Sequence, residues 1–281
     1  MELGFKLAVI VFMVGSLLQL GLQVDFADTT SGLRDWSFLG IAFTFAFVVG
    51  PALAWGITEV LPLPEFYAKG LMLLSLTPGA PFLPMLVRRA CCDMTRVPAM
   101  LLISAAGTTM ILPLALPVVL PGGGASSIAI AGPIVVFLIV PCMIGMTLAR
   151  VSPVISKAIL RPVEAVTQLA TIASIVLCIV LYGDDFMDAM GRLAVAAQVG
   201  FLVTLAGLSY IGARGLPRDS RVVIALGLST RNVGAAIAPL LSTTGAIDGV
   251  VVMVLLGVPV QMIVAAMAST FLSRRSRPRV R

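Results

Sequence analysis

Val222-Val-Ile-Ala-Leu-Gly227-Leu-Ser229-Thr230-Arg231-Asn232-Val-Gly234-Ala-Ala-Ile-Ala-Pro239-Leu-Leu241 is the stretch on which the reading of this chain turns. It is long enough to cross a bilayer, which takes about 20 apolar residues. Four polar residues nevertheless interrupt it at mid-length. A cation at that depth costs roughly 2.5–3.5 kcal/mol on insertion scales. It persists where it faces protein, water or a ligand, so Arg231 marks a candidate functional site. Snorkelling is closed to it, because either membrane surface lies ~15 Å away. The plainer alternative is a structural role, in an ion pair or in bonds to carbonyls between helices.

The composition agrees with a membrane setting. Of 281 residues, 59% are hydrophobic and 11% charged, against about 25% charged in soluble domains. The mean hydropathy is +1.08. The net charge of +6 comes from short loops and a tail, with no basic face interleaved with aromatics, so nucleic acid is not an expected partner. Histidine is absent, which removes the commonest metal ligand and general base. Cys142 and Cys178 lie in apolar runs and read as small hydrophobes. Cys91 and Cys92 adjoin in a loop without metal-site spacing and read as a reduced pair.

Apolar runs bounded by charge, Gly and Pro predict nine helices. They cover about 4–22, 36–60, 66–87, 97–119, 128–149, 163–182, 190–212, 222–241 and 247–270. The first lacks a basic n-region and a cleavage site and reads as a retained helix. The segment 271–281 reads as a basic tail. Lys and Arg separate strongly between the two sides: fifteen fall on one, and Lys6, Lys69 and Arg192 on the other. That asymmetry predicts a cytoplasmic C-terminus and an external N-terminus, in a plasma (inner) membrane. The acidic loop Asp184-Asp185-Phe186-Met187-Asp188 then falls outside.

The third run holds Thr77-Pro78-Gly79-Ala80-Pro81-Phe-Leu83-Pro84. Each proline removes a backbone donor and crowds the preceding turn. Pro78, Pro81 and Pro84 together predict an unwound segment between two half-helices. The eighth run, with Ser229 to Gly234, is the second interruption. The two lie five helices apart and so run in opposite directions, the pointer to an inverted-repeat transporter. The expected fold is an all-α polytopic membrane protein of nine transmembrane helices, an inverted repeat with two crossed broken helices. Pairing by fives leaves the fifth helix unmated and the first repeat without an opening helix.

These residues resemble the bile acid:sodium symporter family. Phe12-Met-Val-Gly-Ser-Leu-Leu-Gln-Leu-Gly-Leu-Gln23 is similar to that family's second helix. Thr77-Pro-Gly-Ala80 through Ala90-Cys-Cys-Asp93 resembles its fourth helix, and Gly227-Leu-Ser-Thr-Arg-Asn-Val-Gly234 its ninth. The resemblance implies one transporter unit, 1–270, with a panel (4–22, 128–182) and a core (36–119, 190–270). It also implies an amphipathic organic anion bound between them and sodium behind. The family's sodium-ligand positions fall here on Leu83, Pro84, Val97, Leu101 and Gly227, none with a side-chain oxygen, and its ninth-helix Gln falls on Arg231. Sodium therefore remains a possible cofactor without its usual ligands, and no other cofactor is expected.

The expected function is secondary transport of a small organic anion, with rocking of core against panel. Arg231 would supply fixed charge and donors for a carboxylate, sulfonate or sulfate. Ser229, Thr230, Asn232 and Thr77 would orient the anion. Gly79 and Gly234 would allow close approach, and Gln168 would line the panel side. The alternatives are a sodium symporter with displaced ligands, a metalloid efflux permease using a membrane cysteine, and a non-transport membrane protein. An intramembrane enzyme lacks an evident base.

Overall fold

The computed structural model describes residues 2–23, 32–120, 140–181, 193–237 and 248–274, with positions 183, 184, 187, 239 and 240 between them. Residues 128–139 of the fifth expected helix, most of the acidic loop 184–188 expected outside, the Cys178 side chain and the tail beyond residue 274 lie outside this description. Among the described residues the fold is all-helical, with one isolated bridge, Pro78 to Arg231.

Among the described residues, six helices are long and apolar enough to cross a membrane. They are α1 (Glu2–Leu22), α2 (Trp36–Val60), α5 (Val97–Val119), α7 (Pro153–Leu181), α8 (Ala194–Gly212) and α11 (Asp248–Arg274). A shorter apolar helix, α6 (Val140–Val151), precedes α7. Two interrupted pairs complete the set: α3 (Glu65–Ser75) with α4 (Leu83–Arg89), and α9 (Arg218–Leu228) with α10 (Val233–Ile237). Each half is too short to span alone.

Local chemistry explains the boundaries. Asp35 caps α2, accepting the Phe38 N–H at 3.0 Å, and pairs with Arg96 at the start of α5 at 2.9 Å. Within α2 the pattern widens to a π turn at Phe45–Val49. Pro51 follows after Gly50, and its ring nitrogen cannot donate into the ladder. Pro84 opens α4 within its first turn, where no N–H is required. The sixth expected helix begins at Pro153, well before residue 163. Lys157 and Arg161 lie within it and line a large cavity, described below, so their charge does not end the helix.

α1 packs along α7 and also touches α10, while α11 lies against α3, α4, α8 and α10. The broken helices are thus enclosed by other helices. The outer surface is apolar: Trp36, Val60, Leu114, Val118, Val154 and Met267 are all exposed. A soluble protein rarely shows so continuous an apolar skin.

Candidate functional site

The two interruptions meet. Gly79 N–H donates to Thr230 O at 3.0 Å, and Asn232 N–H donates to Thr77 O at 2.8 Å. Ala80 N–H donates to the Thr230 hydroxyl at 3.1 Å. The unwound segments form a short antiparallel bridge, so backbone groups freed by the prolines are satisfied inside the protein, as lipid requires. Gly79 adopts φ +79°, the left-handed region. A Cβ there would lie 2.9 Å from Ser104 Oγ, so the position needs glycine on two grounds. Gly234 faces α1, where a Cβ would meet Ser16 Oγ at 2.9 Å.

The helix ends at the bridge are closed almost completely. Leu74 O accepts Thr77 Oγ1 at 3.2 Å, and Leu76 O accepts Thr108 Oγ1 at 3.1 Å. Leu226 O accepts Ser229 Oγ at 2.9 Å, and Gly227 O accepts Thr230 Oγ1 at 3.0 Å. Asn232 Oδ1 accepts Ala235 N–H at 3.1 Å and so caps α10.

Arg231 occupies the middle of this knot and is 2% exposed. Its Nη1 donates to Ser75 O at 3.1 Å and its Nη2 to Leu228 O at 3.2 Å. These are the last residues of α3 and α9. The guanidinium carbon lies 4.7 Å from the centroid of the Phe201 ring, within cation–π range. The backbone N–H of Arg231 donates to Gln261 Oε1. Beside it is a void of about 10 Å³, also lined by Gln198, Phe201 and Gln261. A space of that size holds about one water. Two polar atoms at this void, Arg231 Nε and Gln198 Oε1, have no protein partner.

A second space is far larger, about 1000 Å³. On one side it is lined by α1, α6 and α7, through Gln19, Gln23, Arg150, Lys157, Arg161, Glu164 and Gln168. On the other side lie Pro81, Phe82, Pro84, Met85, Arg88, Val97 and Leu101. Glu164 accepts from Gln19 Nε2 and Gln23 Nε2, both at 3.3 Å. The cavity wall therefore combines four cations, one carboxylate, three amides and an apolar patch.

The structure thus brings Thr77, Gly79, Ser229, Thr230, Arg231, Asn232 and Gly234 to one buried crossing, while Gln168 lines the large cavity instead. The guanidinium takes the carbonyl-bonding role that sequence reading held as the alternative. None of Thr77, Ser229, Thr230, Arg231 or Asn232 lines the large cavity. Of the breaking prolines, Pro81 and Pro84 do line it, and Pro78 forms the bridge. At the sodium-ligand positions, Leu83, Val97 and Leu101 are buried. A Cβ at Gly227 would meet Met100 Cε at 2.8 Å. Sequence reading passed over Gln19, Gln23, Arg150, Lys157, Arg161 and Glu164 as site residues. The available signal was spacing: Gln19 with Gln23, and Glu164 with Gln168, stand four apart and share a helix face. Gln198 and Gln261, polar residues inside apolar helices, were equally visible.

A comparison with the curated proteins finds no match. The sequence does match the model of the Sodium Bile acid symporter family over residues 8–189, well over half of the chain, ending before Arg231. With its apolar-skinned helical fold and paired helix breaks, the chain belongs to the sodium bile acid symporter family, a family of membrane transporters.

Proposed function

We propose that the chain is a secondary transporter of an amphipathic organic anion, which binds in the cavity between α1, α6 and α7 on one side and α4 and α5 on the other. The observation that carries this reading is the cavity itself. Its volume of about 1000 Å³ is at the upper end of small-molecule sites, ~300–1,000 Å³. Arg88, Lys157 and Arg161 offer a cationic end for a carboxylate or sulfonate. Phe82, Met85, Val97 and Leu101 offer an apolar wall for the body of the ligand. Glu164, held by two amides, orients Gln19 and Gln23 toward the same space. Arg231 then acts through the crossing: it fixes the shape of the segment that runs into Pro81 and Phe82 and does not contact the anion in this conformation.

In this reading α1, α6 and α7 form the panel and the remaining helices form the core. The broken pairs α3–α4 and α9–α10 are the corresponding elements of an inverted repeat within nine spans. Their opposite direction and shared break support that assignment. The basic cavity wall lies on the side rich in Lys and Arg, so the mouth faces the cytoplasm. Alternating access follows as the panel rocks against the core.

The test is uptake of a radiolabelled bile acid, and of alkyl carboxylates and sulfonates, by proteoliposomes holding the full chain. Saturable uptake of at least one anion is expected. Lys157→Gln with Arg161→Gln should raise KM about tenfold or more, equivalent to ~1.4 kcal/mol of binding, with a smaller effect on the maximal rate. Absence of saturable uptake across the panel, or an unchanged KM in the double variant, would remove the cavity from the mechanism.

A further inference from the structure

We infer that Arg231 is a tethered cation that occupies the place of a mobile one, so that this chain binds its substrate and keeps its crossing intact without sodium. The inference rests on the transporter reading only for its consequence in uptake; its structural part stands alone. Ser75 O and Leu228 O are the terminal carbonyls of α3 and α9. Helix C-termini carry partial negative charge and leave carbonyls without intrahelical donors. Two such ends converging in a membrane attract a cation. Here the guanidinium meets both, through Nη1 at 3.1 Å and Nη2 at 3.2 Å.

The cation is also sealed in place. Arg231 is 2% exposed, with the Phe201 ring across one face at 4.7 Å. The adjoining void of about 10 Å³ admits a water but no organic anion. Among the described residues no carboxylate lies within ion-pair distance of it. A buried charge without a counterion needs strong hydrogen-bond compensation; the two carbonyl ends and the aromatic face supply much of it, and Nε is left toward the water-sized void. The family is named for sodium symport; in this chain the converging carbonyls already hold a positive group that cannot leave. Two buried oxygens near the crossing lack a partner among the described residues: Gln198 Oε1 at the void, and Ser104 Oγ, which faces Gly79. These two oxygens are the candidate ligands for a displaced sodium if the inference fails.

Thermal unfolding of the detergent-purified full chain tests this without any transport. NaCl, KCl and choline chloride at equal ionic strength should give the same Tm. A bound ion would raise it with concentration in a sodium-specific way. Arg231→Lys, which keeps a charge, should retain more of the Tm than Arg231→Met. In proteoliposomes, bile acid uptake should keep its initial rate when choline replaces sodium. A sodium-specific rise of several degrees in the native chain overturns the inference, above all if Ser104→Ala abolishes it. Equal stability of the Lys and Met variants overturns it as well. A Tm indifferent to sodium combined with no uptake in any medium would sink the transporter reading and leave the tethered cation standing.

Discussion

Gly79 shows how much a single position carries at the crossing. Its φ of +79° excludes most side chains, and Ser104 Oγ stands 2.9 Å from where a Cβ would go. Gly79→Ala should destabilise by about 1–3 kcal/mol, read as a lowered Tm of the purified protein. Adding Ser104→Gly relieves the clash but not the backbone strain, so recovery should be partial; full recovery would show that φ is unconstrained. At this scale the sequence was informative where residue type alone restricts the explanation. An arginine amid apolar residues has few readings, and Pro78, Pro81 and Pro84 forbid a continuous helix. The partners of the guanidinium were not legible. Nothing near Arg231 in the sequence says that Ser75 O, on another helix, comes within 3.1 Å of it. Glu164 was missed for a related reason: its environment depends on Gln19 and Gln23 of α1.

Two contacts between elements give further tests. α1 and α6 cross with backbone against backbone: a Cβ on Gly145 would lie 2.5 Å from Leu18 O, and one on Gly21 would strike Cys142 O. Small residues let membrane helices approach this closely. Gly145→Leu should push the helices apart and lower the Tm, whereas Gly4→Leu, which meets nothing within 4 Å, should not. Elsewhere in the fold, Asp35 caps α2 and holds Arg96 at the start of α5. Partial burial alone would raise its pKa, but the Phe38 N–H and the Arg96 guanidinium together hold it below the ordinary carboxylate value. A depressed folded pKa means that the stabilisation is present above the unfolded carboxylate pKa. It is lost as pH falls through the folded one. The Tm gap between native and Asp35→Asn proteins should therefore narrow on acidification from neutral pH; a constant gap would deny the ionised cap. Element positions were largely legible, since hydropathy fixes six long helices and proline density fixes a break. The start of α7 was not, because lysine and arginine inside a helix look like its end until a cavity is seen beside them.

For the whole molecule, the basic cavity mouth and the exposed Cys91 make orientation measurable. In a variant retaining Cys91 alone, a membrane-impermeant maleimide should label inside-out vesicles and spare intact cells. Labelling of intact cells alone would invert the proposed topology. The bridge between the breaks has a different consequence, which concerns the order of assembly. Ala80 N–H finds its acceptor on Thr230, 150 residues later, and Gly79 N–H likewise depends on Thr230 O. While the chain is being made, the first break has no partner for these amides until the second has emerged. Ribosome-bound chains ending before Ser229 should therefore hold α3 and α4 accessible to water, in the insertion machinery or at the membrane surface. Extending them far enough for Asn232 to emerge from the ribosome should release that pair into lipid in a single late step.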